Sequence, residues 1–150
     1  MREIRVFSAL VLQAGMEIEL DDNAHRHVAR VLRLAVGDAL TLFNGDGFDY
    51  VGEIGFCDRR STRVRILSRE APGNESPLHL TLFAALLKGE AMDHVMQKAV
   101  ELGVSRIVPV AAARSEALPA GERRDKKLAH WQGVIVASAM QCGRAVLPAL

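Results

Sequence analysis

The chain has few residues that could fix its fold or its chemistry covalently. Its 150 residues include two cysteines, one tryptophan and one tyrosine. Cys57 and Cys142 form no Cys-x-x-Cys motif, so the sequence indicates neither a disulfide framework nor a thiolate metal site. No apolar run approaches the roughly 18 residues that a membrane helix needs, and the N-terminus has no signal-peptide pattern. We therefore expect a cytoplasmic protein that has no membrane partner.

Familiar catalytic motifs are missing as well. The sequence has no Gly-x-Ser-x-Gly, no His-Glu-x-x-His, no Walker motif and no glycine fingerprint that opens a helix. His25 and His27 lie two apart on a predicted helix, where side chains point about 200° apart, so they cannot share a metal ion. The stretch from Asn44 to Gly47 lacks a following helix pattern and predicts a hairpin turn rather than a phosphate loop. No metal is expected.

Charge by itself does not point to a partner. Residues 1–72 hold ten arginines and eleven acidic residues, and residues 73–150 hold nine basic and seven acidic residues. The formal net charge of the whole chain is +1. Neither half is basic enough to indicate nucleic-acid binding from its net charge.

The first 70 residues favour β-structure, with predicted strands at 4–7, 39–43, 50–54 and 62–67. One helix interrupts them, and the pattern predicts that it begins near Asp21–Asn23 and ends before Gly37. At about 100° per residue, one side of this helix carries apolar residues, and the opposite side carries arginines. The apolar side is Ala24, Val28, Val31 and Leu32, and the basic side is Arg26, Arg30 and Arg33.

A stretch rich in proline and polar residues at 70–77 predicts a boundary, after which the pattern becomes α/β. Residues 78–87 form a nearly continuous apolar run that is typical of a strand covered on both faces. A helix over 92–102, a strand over 107–110 and a helix over 128–142 follow, and Gly103 and Gly143 end the helices. Two strands and two helices leave a sheet face and an edge uncovered.

Three residues of this second half are candidates for a site. Arg114 follows the predicted strand at 107–110, and ligands of open α/β sheets collect beyond the carboxyl ends of strands. Gln141 and Arg144 close the last helix, although the helix dipole alone also explains a cation there. Lys98 and Glu101 are three apart and are interpreted either as part of a site or as a solvated pair on a helix.

Several segments, in order and across nearly the whole chain, resemble the ribosomal RNA small subunit methyltransferase E family. No single motif is specific, but the ordered set is. The matching segments are 27–33 (HVARVLR), 42–45 (LFNG), 88–90 (KGE) with Met92, 97–104 (QKAVELGV), Arg114-Ser115, and 127–144 from Lys127 through Trp131 to QCGR.

The resemblance implies a fold that joins α+β and α/β parts. A PUA-like RNA-binding β-barrel would occupy residues 1–72, and residues 73–150 would form the first part of a SPOUT-type methyltransferase domain. The family implies methylation of N3 of a uridine in 16S ribosomal RNA by S-adenosyl-L-methionine, and a homodimer. The catalytic residues would be Arg114, Gln141 and Arg144, and the RNA-binding residues Arg5, Arg26, Arg30, Arg33 and Lys88.

Two departures from the family pattern matter. Met140 stands where the family usually has Glu, and the family's glycine-rich donor loop is not among these 150 residues. We therefore expect the cofactor-binding residues to lie beyond Leu150, and the chain alone to be inactive. The alternative is a noncatalytic module for RNA binding and dimerisation.

Overall fold

The structure is a computed structural model that describes residues 4–150. The chain divides into two compact units, one ending at Gly73 and the other beginning at Asn74. Within the described residues, no helix combines the length and apolar character that crossing a membrane requires.

The N-terminal unit is built on one five-stranded sheet. Its strands are β1 (Arg5–Phe7), β2 (Glu17–Glu19), β3 (Ala39–Phe43), β4 (Asp49–Cys57) and β5 (Thr62–Glu70). They lie in the order β1-β3-β4-β5-β2, with β1 parallel to β3 and every other pair antiparallel. Alternating buried residues such as Leu42, Ile54 and Val64 form the core. Four of these strands were predicted; β2, only three residues long, was not.

The turn between β3 and β4 also follows its prediction. Gly45 and Gly47 have φ values of 92° and 94°, a conformation that glycine adopts without strain. The side chain of Asn44 accepts a hydrogen bond from the backbone N–H of Asp46 at 3.2 Å. These features form the turn of a hairpin. Strand β4 follows it directly, so this turn does not lead into a helix N-terminus that could bind a phosphate.

The predicted helix between β2 and β3 is shorter than expected. Helix α1 (Asp22–Arg26) begins at Asp21, whose carboxylate accepts from the N–H groups of Asn23 and Ala24, and it continues as a π-helical turn over His27–Val31. The chain then leaves the helix, and the prediction that it runs to Gly37 is wrong. A π turn changes the angle per residue, so Val31, predicted to be buried, is 68% exposed.

The C-terminal unit consists of β6 (Thr81–Ala85), α2 (Glu90–Glu101), β7 (Arg106–Val110) and α3 (Glu122–Cys142). Strands β6 and β7 are parallel and pair Leu82 with Ile107. Helices α2 and α3 bury an apolar stripe between themselves and the sheet. This stripe consists of Met92, Met96, Ala99, Val100, Trp131, Ile135 and Ala139.

Strand β6 is covered on one face only. Phe83 is 68% exposed, and Leu80 just before the strand is 48% exposed, so the prediction that this strand is buried on both faces is wrong. The prediction of an uncovered sheet face is confirmed. The apolar run at residues 78–87 therefore contributes to an apolar surface that the described residues do not cover.

Two glycines of β4 provide a test of the packing between the strands of the N-terminal sheet. A Cβ atom at Gly52 would lie 2.7 Å from Val64 Cγ1 and 3.1 Å from the carbonyl oxygen of Arg65, whereas one at Gly55 would meet only Glu17 Oε2 at 3.6 Å. We expect Gly52→Ala to lower the free energy of unfolding by about 1–3 kcal/mol, because the core must shift to admit the methyl group. Gly55→Ala is the matched control and should change it by less than about 1 kcal/mol. Urea unfolding measures both, and equal effects would contradict the packing described here.

Candidate functional site

The predicted basic side of the first helix lies on the surface. Arg26, Arg30 and Arg33 are exposed. Arg26 Nη2 donates to Asn23 Oδ1 at 2.7 Å, and its Nε donates to the carbonyl oxygen of Asp22 at 3.1 Å. Within residues 4–150, no carboxylate oxygen lies within 4.0 Å of the guanidinium of Arg30 or Arg33. We call residues 26–33 the arginine segment.

Arg33 adopts an unusual backbone conformation. Its φ is 57°, the one positive value among the non-glycine residues that the structure describes. Such a conformation is uncommon for a side chain other than Gly, Asn or Asp. The residue lies just after the π turn, where the N–H of Leu34 donates to the carbonyl oxygen of Val28 at 3.0 Å. Arg33 is exposed, while the neighbouring Leu34 packs against the core.

Arg5, which was predicted to bind RNA, does not belong to this exposed surface. Its side chain is buried on β1, where Nη1 forms an ion pair with Asp49 Oδ2. Its guanidinium also lies 5.0 Å from the centre of the Phe43 ring. This cation is buried against a carboxylate and an aromatic ring. It therefore stabilises the fold and is not accessible to a polyanion.

Arg144, predicted as catalytic, is likewise buried and bound within its own unit. Its Nε and Nη2 donate to Glu75 Oε2 at 3.0 and 2.9 Å, and its Nη1 donates to the carbonyl oxygens of Val100 and Val104, both at 3.0 Å. Glu75 Oε1 also accepts from the N–H of Val146 at 3.1 Å. The guanidinium therefore ties three segments of the unit together, which is a structural role that the sequence analysis did not predict; the catalytic role stays a prediction.

Lys88 and Arg114 lie on adjoining loops at the carboxyl ends of β6 and β7. The N–H of Leu86 donates to the carbonyl of Val110 at 3.0 Å, and the N–H of Glu116 donates to the carbonyl of Leu86 at 3.1 Å. Lys88 Nζ is 3.6 Å from Glu116 Oε1, and Arg114 is exposed. Sequence reasoning assigned these two cations separate roles, but the strand pairing brings their loops together.

Gln141 lies elsewhere, in an open groove of about 490 Å³ between α2 and α3. One of the residues that line the groove, Asp93, has its Oδ2 2.8 Å from His130 Nε2. Thirty-seven residues separate this pair, so no local pattern could have predicted it. The described residues show no contact that joins Gln141 to Arg114. The groove is lined by Glu90, Asp93, His94, Gln97, Val134, Ala137, Ser138 and Gln141.

The pattern of the RNA methyltransferase PUA domain matches residues 20–67, which include the arginine segment, and that of the RNA methyltransferase domain matches residues 74–150. A PUA-like β unit followed by a SPOUT-type α/β layer defines the class of protein to which this chain belongs.

Relatives in three bacteria narrow that class. Ribosomal RNA small subunit methyltransferase E of Buchnera aphidicola (subsp. Schizaphis graminum) is 29% identical over 96% of this chain and 58% of its own length. The same enzyme of Neisseria gonorrhoeae, solved with S-adenosyl methionine, is 34% identical with a TM-score of 0.92, over 99% of this chain and 61% of its own. A Legionella pneumophila structure described as a methyltransferase with bound SAM is 39% identical with a TM-score of 0.94, over 100% of this chain and 62% of its own. The chain belongs to the ribosomal RNA small subunit methyltransferase E family.

The structural role of Arg144 can be tested by unfolding. We expect Arg144→Met to lower the free energy of unfolding by about 3–5 kcal/mol, because it removes the cation that neutralises the Glu75 carboxylate and the side-chain donor of two carbonyl groups. Lys98→Met is the control, since it breaks the half-exposed pair of Lys98 Nζ with Glu101 Oε2 (2.6 Å), which is worth less than about 1 kcal/mol. If Arg144→Met unfolds at the same urea concentration as the unsubstituted chain, the structural role is refuted.

Proposed function

We propose that the whole protein transfers a methyl group from S-adenosyl-L-methionine to N3 of a uridine in 16S ribosomal RNA, and that the N-terminal unit binds this RNA. The observation that carries the proposal is the arginine segment. Its guanidinium groups are exposed, those of Arg30 and Arg33 have no acidic partner in the described part of the chain, and they lie in a match to an RNA methyltransferase PUA domain. Guanidinium groups recognise phosphate with two parallel hydrogen bonds.

The C-terminal unit contributes positions for the reaction. N3 of uracil carries a proton that must leave before the nitrogen can attack, and the base must be unpaired to expose it. Lys88 and Arg114 on the two adjoining loops would hold the RNA backbone or the base at the carboxyl edge of the sheet, by charge and by donated hydrogen bonds. Gln141 would orient a polar group from the groove, through its amide.

We assign the binding of the cofactor to none of the residues that the structure describes. S-adenosyl-L-methionine supplies the methyl electrophile when it is bound. A pocket for a ligand of its size encloses most of the ligand surface, whereas the groove between α2 and α3 is open and carries the carboxyl groups of Glu90 and Asp93. The described residues therefore do not form a binding site for the cofactor by themselves.

A second candidate function is a noncatalytic module that binds RNA and dimerises. The open apolar face around Leu80 and Phe83 favours it, since a contiguous exposed apolar surface marks a place of association. Both candidates include a homodimer and RNA binding by the N-terminal unit. They differ only in whether a methyl group is transferred.

Deleting the gene separates the two candidates. We expect 16S ribosomal RNA from the deleted strain to lose one N3-methyluridine, because the proposed enzyme supplies this methyl group. Complementation with the intact gene should restore it. Mass spectrometry of nucleosides from purified 16S RNA measures the modification. An unchanged level of N3-methyluridine would exclude the enzymatic candidate and leave the binding module.

Substitution of the arginine segment tests the RNA-binding part. We expect Arg30→Ala with Arg33→Ala to weaken RNA binding about tenfold at 0.15 M salt and to reduce the slope of log affinity against log salt by about 1.4 for two lost phosphate contacts. Fluorescence titration of a 16S transcript at several salt concentrations measures both.

The control removes two arginines from another surface. Arg63 and Arg65 are exposed on β5 and lie opposite Glu19 and Glu17 of β2. Their replacement by Ala changes the net charge by the same amount but removes cations that already face carboxylates. If this control weakens RNA binding as much as the arginine segment variant, the effect is one of net charge and the proposed surface is wrong.

A further inference from the structure

The turn between β4 and β5 presents two more arginines that sequence analysis did not select. Arg59 and Arg60 are exposed at the tip of this turn. Neither guanidinium lies within 4.0 Å of a carboxylate oxygen in the part of the chain that the structure describes. We call residues 58–61 the β4–β5 turn.

The residues that precede and follow the β4–β5 turn contact the two residues that flank the arginine segment. At one end, Thr62 Oγ1 lies 2.8 Å from Nδ1 of the buried His25, which precedes Arg26. At the other end, Cys57 Sγ lies 3.9 Å from the carbonyl oxygen of Leu34, which follows Arg33. The turn therefore stands beside the arginine segment because of contacts made in the interior of the unit.

These contacts limit how far apart the two sets of arginines can be. Arg33 is one residue from Leu34, and Arg59 is two residues from Cys57. With about 3.8 Å between consecutive Cα atoms and the 3.9 Å contact between the two segments, the Cα atoms of Arg33 and Arg59 lie within about 20 Å of each other. At about 3.4 Å per phosphate along each strand of a duplex, one strand of about six nucleotides covers that distance.

Two of the three aspartates in residues 21–34 and 58–61 accept hydrogen bonds from backbone N–H groups. Asp21 Oδ1 accepts from Asn23 and Ala24 at the start of α1. Asp58 Oδ1 accepts from the N–H groups of Arg60 and Ser61 at 2.7 and 2.8 Å. The hydrogen bonds from Ser61 and Arg60 lower the pKa of Asp58 below its ordinary value. Five arginines and three aspartates lie within residues 21–34 and 58–61, which gives this surface a net charge of +2.

The outer face of the sheet in the same unit differs, because Arg63 and Arg65 there lie beside carboxylates. Arg65 lies opposite Glu17 on one side and Glu53 on the other, and Arg63 Nη1 is 3.2 Å from Glu17 Oε1. Its cations are matched by carboxylates of neighbouring strands. A polyanion would lose as much by approaching those carboxylates as it gained from the arginines.

We propose that Arg59 and Arg60 of the β4–β5 turn bind the phosphate backbone of the same RNA that the arginine segment binds, so that one strand runs across both. This inference rests on the proposed function, because it extends the RNA-binding surface of the N-terminal unit. Both segments fall within the match to an RNA methyltransferase PUA domain, which favours RNA over an anionic membrane. The His25–Thr62 and Cys57–Leu34 contacts hold the two parts of the surface in register.

The test compares four double variants of the 150-residue chain, one of which is Arg30→Ala with Arg33→Ala, for binding to a 16S transcript and to a mixed-sequence single-stranded RNA. Arg59→Ala with Arg60→Ala should weaken binding about tenfold at 0.15 M salt and reduce the salt slope by about 1.4. Arg59→Lys with Arg60→Lys should retain most of the affinity, because the charge remains. Arg63→Ala with Arg65→Ala, which removes the same charge from the outer face, should leave binding unchanged. Thermal unfolding checks that each variant is folded.

The outcomes are distinguishable. If the Arg30 and Arg33 variant binds weakly while the Arg59 and Arg60 variant binds like the unsubstituted chain, this inference is overturned and the proposed function stands. If the unsubstituted chain does not bind RNA at all, the RNA-binding part of the proposed function falls, and this inference falls with it. Binding to phosphatidylserine vesicles that depends on Arg59 and Arg60, without RNA binding, would also overturn the inference.

Discussion

A guanidinium group that leaves water must find an acceptor for its hydrogen bonds, and one that finds no carboxylate stays at the surface. This constraint divides the arginines discussed above into buried ones with partners and exposed ones. Arg5 is buried against Asp49, and Arg144 is buried against Glu75 and two carbonyl groups. Arg30 and Arg33 remain in water on a short segment. Arg5 and Arg144 each stabilise the interior of their own unit, whereas Arg30 and Arg33 remain exposed to solvent.

The pattern of apolar residues could predict most of the strands and helices, because each element buries one face. Alternation in β5 and the apolar stripe of α3 gave their positions, and Gly103 and Gly143, both with positive φ, mark the helix ends. The end of the first helix could not be predicted in this way. The assumption of 100° per residue fails once the chain enters a π turn at His27, and a propensity scale contains no signal for that change.

Site residues were harder to predict than elements, because their roles depend on partners distant in sequence. The spacing of Arg26, Arg30 and Arg33 could be interpreted from one helix, and the structure leaves all three exposed. Arg144 looked equally available at a helix end, yet its partner Glu75 is 69 residues away. The pairing of Asp93 with His130 and that of His25 with Thr62 are equally non-local. A lone sequence shows residue types and local periodicity but not which acid neutralises which base.

The net charge of the N-terminal half is therefore a poor guide to its function. Residues 1–72 contain one more acidic residue than basic residues, which by itself argues against a polyanion. The carboxylates, however, are not distributed evenly: Glu17, Glu19 and Glu53 lie on the outer face of the sheet beside Arg63 and Arg65, and Asp49 is buried with Arg5. Asp21 and Asp58 are bound by backbone N–H groups. Arg30, Arg33, Arg59 and Arg60 have no carboxylate partner within residues 4–150. Screening by salt over about 10 Å lets their charges act independently of distant carboxylates.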